Sequence, residues 1–204
     1  MKKGITKMLS VCVFAFVVFL AAGTESKAAT TNMGLKQTNA GSSYVNLAWD
    51  AQLGAGHYHT QFSQDGKNWI DMDDSSSPSE SVYNLTQGAS YYARVVAYKD
   101  SHYMGTHVMV GVSETAIVST KPAEVTGLTQ TAAGVNSVSM SWNASAGAAS
   151  YVIYGYINYN WTQIGTSATN SATITGVAAT TSTRFSVAAV KNVTGGTVTG
   201  DQCS

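Results

Sequence analysis

An all-β chain made of two tandem antiparallel sandwiches is the fold class this 204-residue sequence predicts. Three observations carry the prediction. Apolar residues alternate with period two between clusters of Gly, Asn, Asp and Ser, as half-buried strands require. No stretch beyond the leader shows a helical period. The whole pattern occurs twice along the chain, and about seven short strands per ~90 residues, with a tryptophan on an early strand, read as a sandwich.

The leader comes first. MKKGITK carries three lysines ahead of an apolar run from Met8 to Ala22 interrupted by Ser10, and polar GTESKAA follows. That run is shorter than the roughly 18 residues a membrane-spanning helix needs, and Ser26-Lys27-Ala28 puts small residues where a signal peptidase reads. Residues 1–28 are therefore expected to be a signal peptide cleaved after Ala28, with Ala21-Ala22-Gly23 as the second site. The expected product is a secreted, extracellular chain with no membrane span, and the short lysine-rich leader favours a bacterial source.

Without the leader, seven Lys/Arg stand against ten Asp/Glu, a formal charge of 7 − 10 = −3. Scattered cations at that density do not form the basic surface that phosphate backbones require, so nucleic acid is excluded as an expected partner. Cys12 leaves with the leader and Cys203 remains as the sole cysteine, so no internal disulfide can form. A disulfide-linked partner through Cys203 is the one covalent pairing left open.

The repeat sets the domains. LKQTNAGSSYVNLAWDA, from Leu35, lies over LTQTAAGVNSVSMSWNA, from Leu128, so that Leu35, Trp49 and Tyr58 match Leu128, Trp142 and Tyr151 at an offset of 93. After one deletion the offset becomes 92, placing Trp69 on Trp161 and Val95, Ala97 and Lys99 on Val187, Ala189 and Lys191. The expected domains are residues 29–120 and 121–204, joined closely at Thr120 to Pro122 without a flexible tract. Within each, Val45, Leu47 and Trp49, like Val138, Met140 and Trp142, should point inward. Tyr58, Thr60 and Phe62 share the inner side of the next strand, and Asp65-Gly66 is a turn signal.

At these residues the chain resembles the fibronectin type III family, twice over. The resemblance rests on Gly34-Leu35 and Gly127-Leu128, on Trp49 and Trp142, on Tyr58 and Tyr151, and on the stretch from Leu85 to Ala97, where Tyr91 sits at the place of the family's corner tyrosine. It implies two fibronectin type III-like sandwiches with a binding or spacing role and no catalysis. The second unit departs from the pattern: Thr183 stands where the first has Tyr91, and Val198 to Ser204 is too short for a last strand like Val112 to Thr120. The unit is therefore expected to be clipped, or the chain to be part of a longer protein.

Candidate sites follow from what remains. A nucleophilic triad needs a histidine beside its serine or cysteine, yet all four histidines lie in the first unit and Cys203 lies in the second, so no enzyme and no cofactor are expected. His57 and His59 should lie together on the outer face of their strand, and His102 and His107 sit on an insertion from Asp100 to Gly111. Solvated polar side chains are the expectation there, with no response to zinc; a zinc-type site is the alternative. Asp71, Asp73 and Asp74 read as a solvated acidic loop. In the second unit, Tyr154 and Tyr156 should face outward with Tyr159 and Trp161 in the following hairpin, either as a binding surface or as a shield over the sheet. The function expected is a non-catalytic extracellular spacer or interaction module whose partner is a protein or a polysaccharide. A carbohydrate-binding module using Tyr154, Tyr156, Tyr159 and Trp161 is the first alternative, and a metal-dependent site the second.

Overall fold

A computed structural model describes residues 29–99, 107–177 and 183–203. The first unit runs through β1 (Thr30–Thr31), β2 (Lys36–Ala40), β3 (Val45–Ala48), β4 (His57–Ser63), β5 (Ile70–Ser75), β6 (Ser79–Val82), β7 (Ser90–Lys99), β8 (Val108–Ser113) and β9 (Ala116–Ser119). The second runs through β10 (Thr129–Ala133), β11 (Ser137–Ser141), β12 (Ser150–Ile157), β13 (Asn160–Ser167), β14 (Ser171–Thr175), β15 (Phe185–Val193) and β16 (Gly196–Thr199). Among the described residues there is no helix, and the all-β fold class is the one expected.

In the first unit the sheet β2-β3-β6 faces the sheet β1-β8-β7-β4-β5, with β9 continuing beside β7. In the second, β10-β11-β14 faces β13-β12-β15-β16. The pairings are antiparallel except that β1 lies parallel to β8, which the sequence did not suggest. The duplication reaches the backbone. A register shift between Gln37 and Asn39 recurs between Gln130 and Ala132, and one between Thr60 and Gln61 recurs between Ile153 and Tyr154.

Alternation places the cores as expected. Val45, Leu47, Trp49, Tyr58, Phe62, Val82, Tyr91 and Val95 are buried together in the first, and Met140, Trp142, Tyr151, Ile153, Val187 and Ala189 in the second. The Tyr91 hydroxyl oxygen accepts from the Thr86 N–H at 3.0 Å and so pins the chain that enters β7.

The junction is tight. Thr120 is fully buried, its hydroxyl donates to the Thr86 carbonyl at 2.7 Å, and the Lys121 N–H donates to the Gly41 carbonyl at 2.8 Å. Across it, the Ile117 N–H donates to Thr194 Oγ1 at 2.7 Å and the Thr194 N–H returns to the Ile117 carbonyl at 2.8 Å. Val198 of β16 is buried in the first unit's core cluster. Lys191 donates its ammonium to the Gly88 carbonyl, and its desolvation there pushes its pKa down.

Two expectations are corrected. Asp71, Asp73 and Asp74 lie on the strand β5 and not on a loop, because β4 pairs along that segment and Met72 packs against the core from it. The end of the second unit also pairs further than expected. Beyond β16, the Gly200 N–H bonds the Ala189 carbonyl at 2.8 Å and the Cys203 N–H bonds the Val187 carbonyl at 3.1 Å. Cys203 is buried in the second core, where its sulfur accepts from the Val187 N–H at 3.1 Å, as Ser113 Oγ accepts from the Val95 N–H at 2.8 Å in the first. A disulfide to another chain would require this terminal segment to leave that core.

The turn after β4 is held by one carboxylate. Asp65 Oδ1 accepts from the Asn68 and Lys67 N–H groups, each at 2.8 Å, and from the Ser63 hydroxyl at 2.9 Å, while Gly66 takes a φ of 70°. The Asn68 backbone donor first, then that of Lys67, holds the Asp65 carboxyl far below its ordinary 3.8. A depressed folded-state pKa stabilises above the unfolded value and is lost as pH falls through and below 3.8. Asp65→Ala should therefore flatten the acid limb of the stability curve while leaving its slope above pH ~6 unchanged; an unaltered acid limb in urea titrations would rule this turn out as a contributor.

Candidate functional site

Two surfaces gather the residues singled out from the sequence. The first is the tip of the β12–β13 hairpin. Alternation along β12 puts Tyr154 and Tyr156 on its outer side, and the register sets Tyr156 directly opposite Trp161. Their rings meet edge to face, 5.3 Å between centroids and 62° between planes. The tip itself is Asn158-Tyr159, with φ of 49° and 65°. Two successive positive φ values are what a tight hairpin turn demands, and glycine is the favoured second residue because a side chain there is strained. Tyr159 fills it with a ring that is 90% exposed and so gains little packing. Ile157, exposed as well, adds apolar area that reading the aromatic residues alone had missed. Tyr154 differs from the others in being only half-buried.

The second surface is the outer side of β4. His57 and His59, two residues apart, emerge on the same face, opposite Tyr98 and Val96 of β7. His57 lies flat on Tyr98, 5.3 Å between centroids and 14° between planes. His107, just ahead of β8, brings its ring to 4.8 Å from that of His57 and 6.1 Å from that of His59. His59 Nδ1 stands 3.2 Å from the Asp74 carboxylate. Its Nε2 is buried and has no hydrogen-bond partner. His57 and His59 were expected together on this outer face as solvated polar side chains; their rings also pack on one another, on His107 and on Tyr98, because β7 and the approach to β8 bring Tyr98 and His107 over β4. His102 lies outside the described residues. Tyr98 and Asp74 complete the cluster and were missed, although pairing β4 with β5 and β7 would have exposed both.

Chemically the two surfaces differ. The hairpin tip offers apolar area with phenol and indole polar ends, suited to contact, while the histidine face offers nitrogen lone pairs. Among the described residues, Cys203 hydrogen-bonds only to Val187 and Ser186, far in sequence from any histidine. No described helix is long and apolar enough to cross a membrane.

No protein-family model matches the chain, and no curated protein matches it. Among solved structures, the chain is similar to the FN1–FN3 domains of chicken CNTN1, at 13% identity and a TM-score of 0.43, over 87% of this chain and 67% of that one. It is similar to a two-domain fibronectin type III segment of chicken tenascin, at 17% identity and a TM-score of 0.35, over 83% of this chain and 93% of that one. It is also similar to the fibronectin type III domain of human fibronectin type III domain containing protein 3, at 19% identity and a TM-score of 0.35, over 46% of this chain and 91% of that one.

Proposed function

We propose that the chain is an exported, non-catalytic interaction module made of two fibronectin type III-like units, and that it contacts its partner through the β12–β13 hairpin tip. The observation that carries this reading is Tyr159, a non-glycine residue at φ 65° with its ring 90% exposed. Strain of this kind, on the order of 1 kcal/mol or more, persists where something other than stability selects it. Tyr and Trp anchors of this sort dominate interface energetics, since they bury much area with few rotatable bonds.

The edge-to-face angle within the Tyr156–Trp161 pair favours a protein groove over a polysaccharide. Sugar rings stacking in a row need aromatic faces in one plane, and these two planes stand 62° apart. The tight junction at Thr120 to Pro122 supports a module that presents the tip at a fixed distance from its neighbours.

Removing Tyr156 and Trp161 together with alanine should abolish binding on panels of immobilised extracellular proteins and insoluble polysaccharides. The stability loss should stay well below the several kcal/mol of a core aromatic truncation, since Tyr156 and Trp161 are 38% and 43% exposed. Retention of the parent on polysaccharide, lost in the variant, would move the reading to carbohydrate. Unchanged binding with a drop of several kcal/mol would show that the rings shield the sheet.

A further inference from the structure

From the geometry of the histidine face, we propose that His57, His59 and His107 bind one divalent transition-metal ion of the zinc class, with Asp74 as the carboxylate that positions His59.

The strand supplies the first two ligands. Side chains two apart on a strand stand on one face, so His57 and His59 present neighbouring imidazoles, 5.3 Å between centroids and tilted by 52°, without any loop to order. The third arrives from the neighbouring strand pair, where β7 holds β8 in register and His107 immediately precedes it. With metal–nitrogen bonds of about 2.0–2.1 Å, three imidazoles around a tetrahedral ion have ring centroids about 5.3 Å apart. Here the three separations are 5.3, 4.8 and 6.1 Å.

The second observation concerns protons. An Nδ1–H of His59 donated to Asp74, 3.2 Å away, fixes the tautomer and leaves the lone pair on Nε2, the atom that is buried and unpartnered. A carboxylate holding the far nitrogen of an imidazole is the usual outer support of a metal-ligating histidine. Tyr98, stacked on His57, limits how that ring can swing. Among the described residues, no three donor groups already converge on one point. The site is completed by small rotations of imidazoles whose centroids are already spaced for it, and a fourth position stays open to water or a partner's group. Soft thiolate is absent from the set, and imidazole ligands suit zinc, copper and nickel better than calcium or magnesium.

The duplicate provides the control, for the second unit carries Ser150 and Val152 at the places of His57 and His59 and builds the same strand. The full chain, stripped with chelator, is titrated with zinc chloride by calorimetry and dialysed for metal analysis, with magnesium and calcium in parallel. One zinc per chain is expected, with a rise in melting temperature that magnesium and calcium do not produce. His57→Ser with His59→Val should abolish it while melting like the parent without metal, and His107→Ala should weaken it at least tenfold. Asp74→Asn should weaken it 10–100-fold, the range found for such outer-shell supports. Zinc binding unchanged in the double variant, or no stoichiometric zinc on the parent, would overturn the proposal. So would His107→Ala binding as tightly as the parent.

Discussion

Trp49→Ala and Trp142→Ala are each expected to remove about 3–5 kcal/mol, the range for a buried aromatic truncated in a core. That is enough to unfold a unit of ordinary marginal stability. The two rings are 5% and 3% exposed. Each meets a tyrosine edge to face in nearly the same geometry, Trp49 on Tyr58 at 5.4 Å and 66°, Trp142 on Tyr151 at 5.4 Å and 67°. Those tyrosines are themselves fixed, since the Tyr58 oxygen accepts from the Gln52 N–H and the Tyr151 oxygen from the Ser145 N–H, both at 3.0 Å. Truncation thus opens a cavity that a tethered neighbour cannot collapse into. Phenylalanine should cost far less: it keeps most of the ring and deletes an indole N–H that is buried without a hydrogen-bond partner in both cores. Urea denaturation should show one unit lost in each alanine variant and the other retained, apart from what they share through Val198. Variants that unfold with the parent would refute two separate cores.

Tyr91→Thr should be the next largest loss, about 3 kcal/mol or more, because it removes both a buried ring and the acceptor of the Thr86 N–H. It also installs the residue the second unit carries at Thr183. The ring packs against Phe62 at 5.7 Å, and its oxygen sets the bend before β7. Among the described residues, the second unit has no counterpart of this tether, and its core cluster is smaller. The second unit should therefore open first in native-state hydrogen exchange on the full chain, β12 and β15 exchanging before β4 and β7. Tyr91→Phe should separate the two contributions, costing about 1 kcal/mol for the hydrogen bond alone. Slower exchange in β15 than in β7 would contradict the order. The isolated units are a poorer test, because Val193 and Val198 of the second pack against the core of the first.

Local chemistry made the strands and the inward residues readable. A period of two assigns Val45, Leu47, Trp49, Tyr58 and Phe62 to one side whatever they pack against, and an Asp-Gly pair defines a turn by its own backbone needs. The sequence by itself also determined the duplication, through residues matching at offsets of 93 and 92, while the bulges that recur at matching positions were seen only in the strand pairings. What only tertiary structure decided was which outer faces meet. Asp74, read as part of a loop, became strand because β4 pairs with it. Tyr98 and His107 came to cover His57 and His59 because β7 lies between β4 and β8, a neighbour relation that alternation along one strand cannot express. Cys203, which looked like a free tail thiol, is buried because the chain beyond β16 keeps hydrogen-bonding along β15. Periodicity fixes a side chain's face; pairing between distant strands fixes its company, and the histidine cluster exists only through that company.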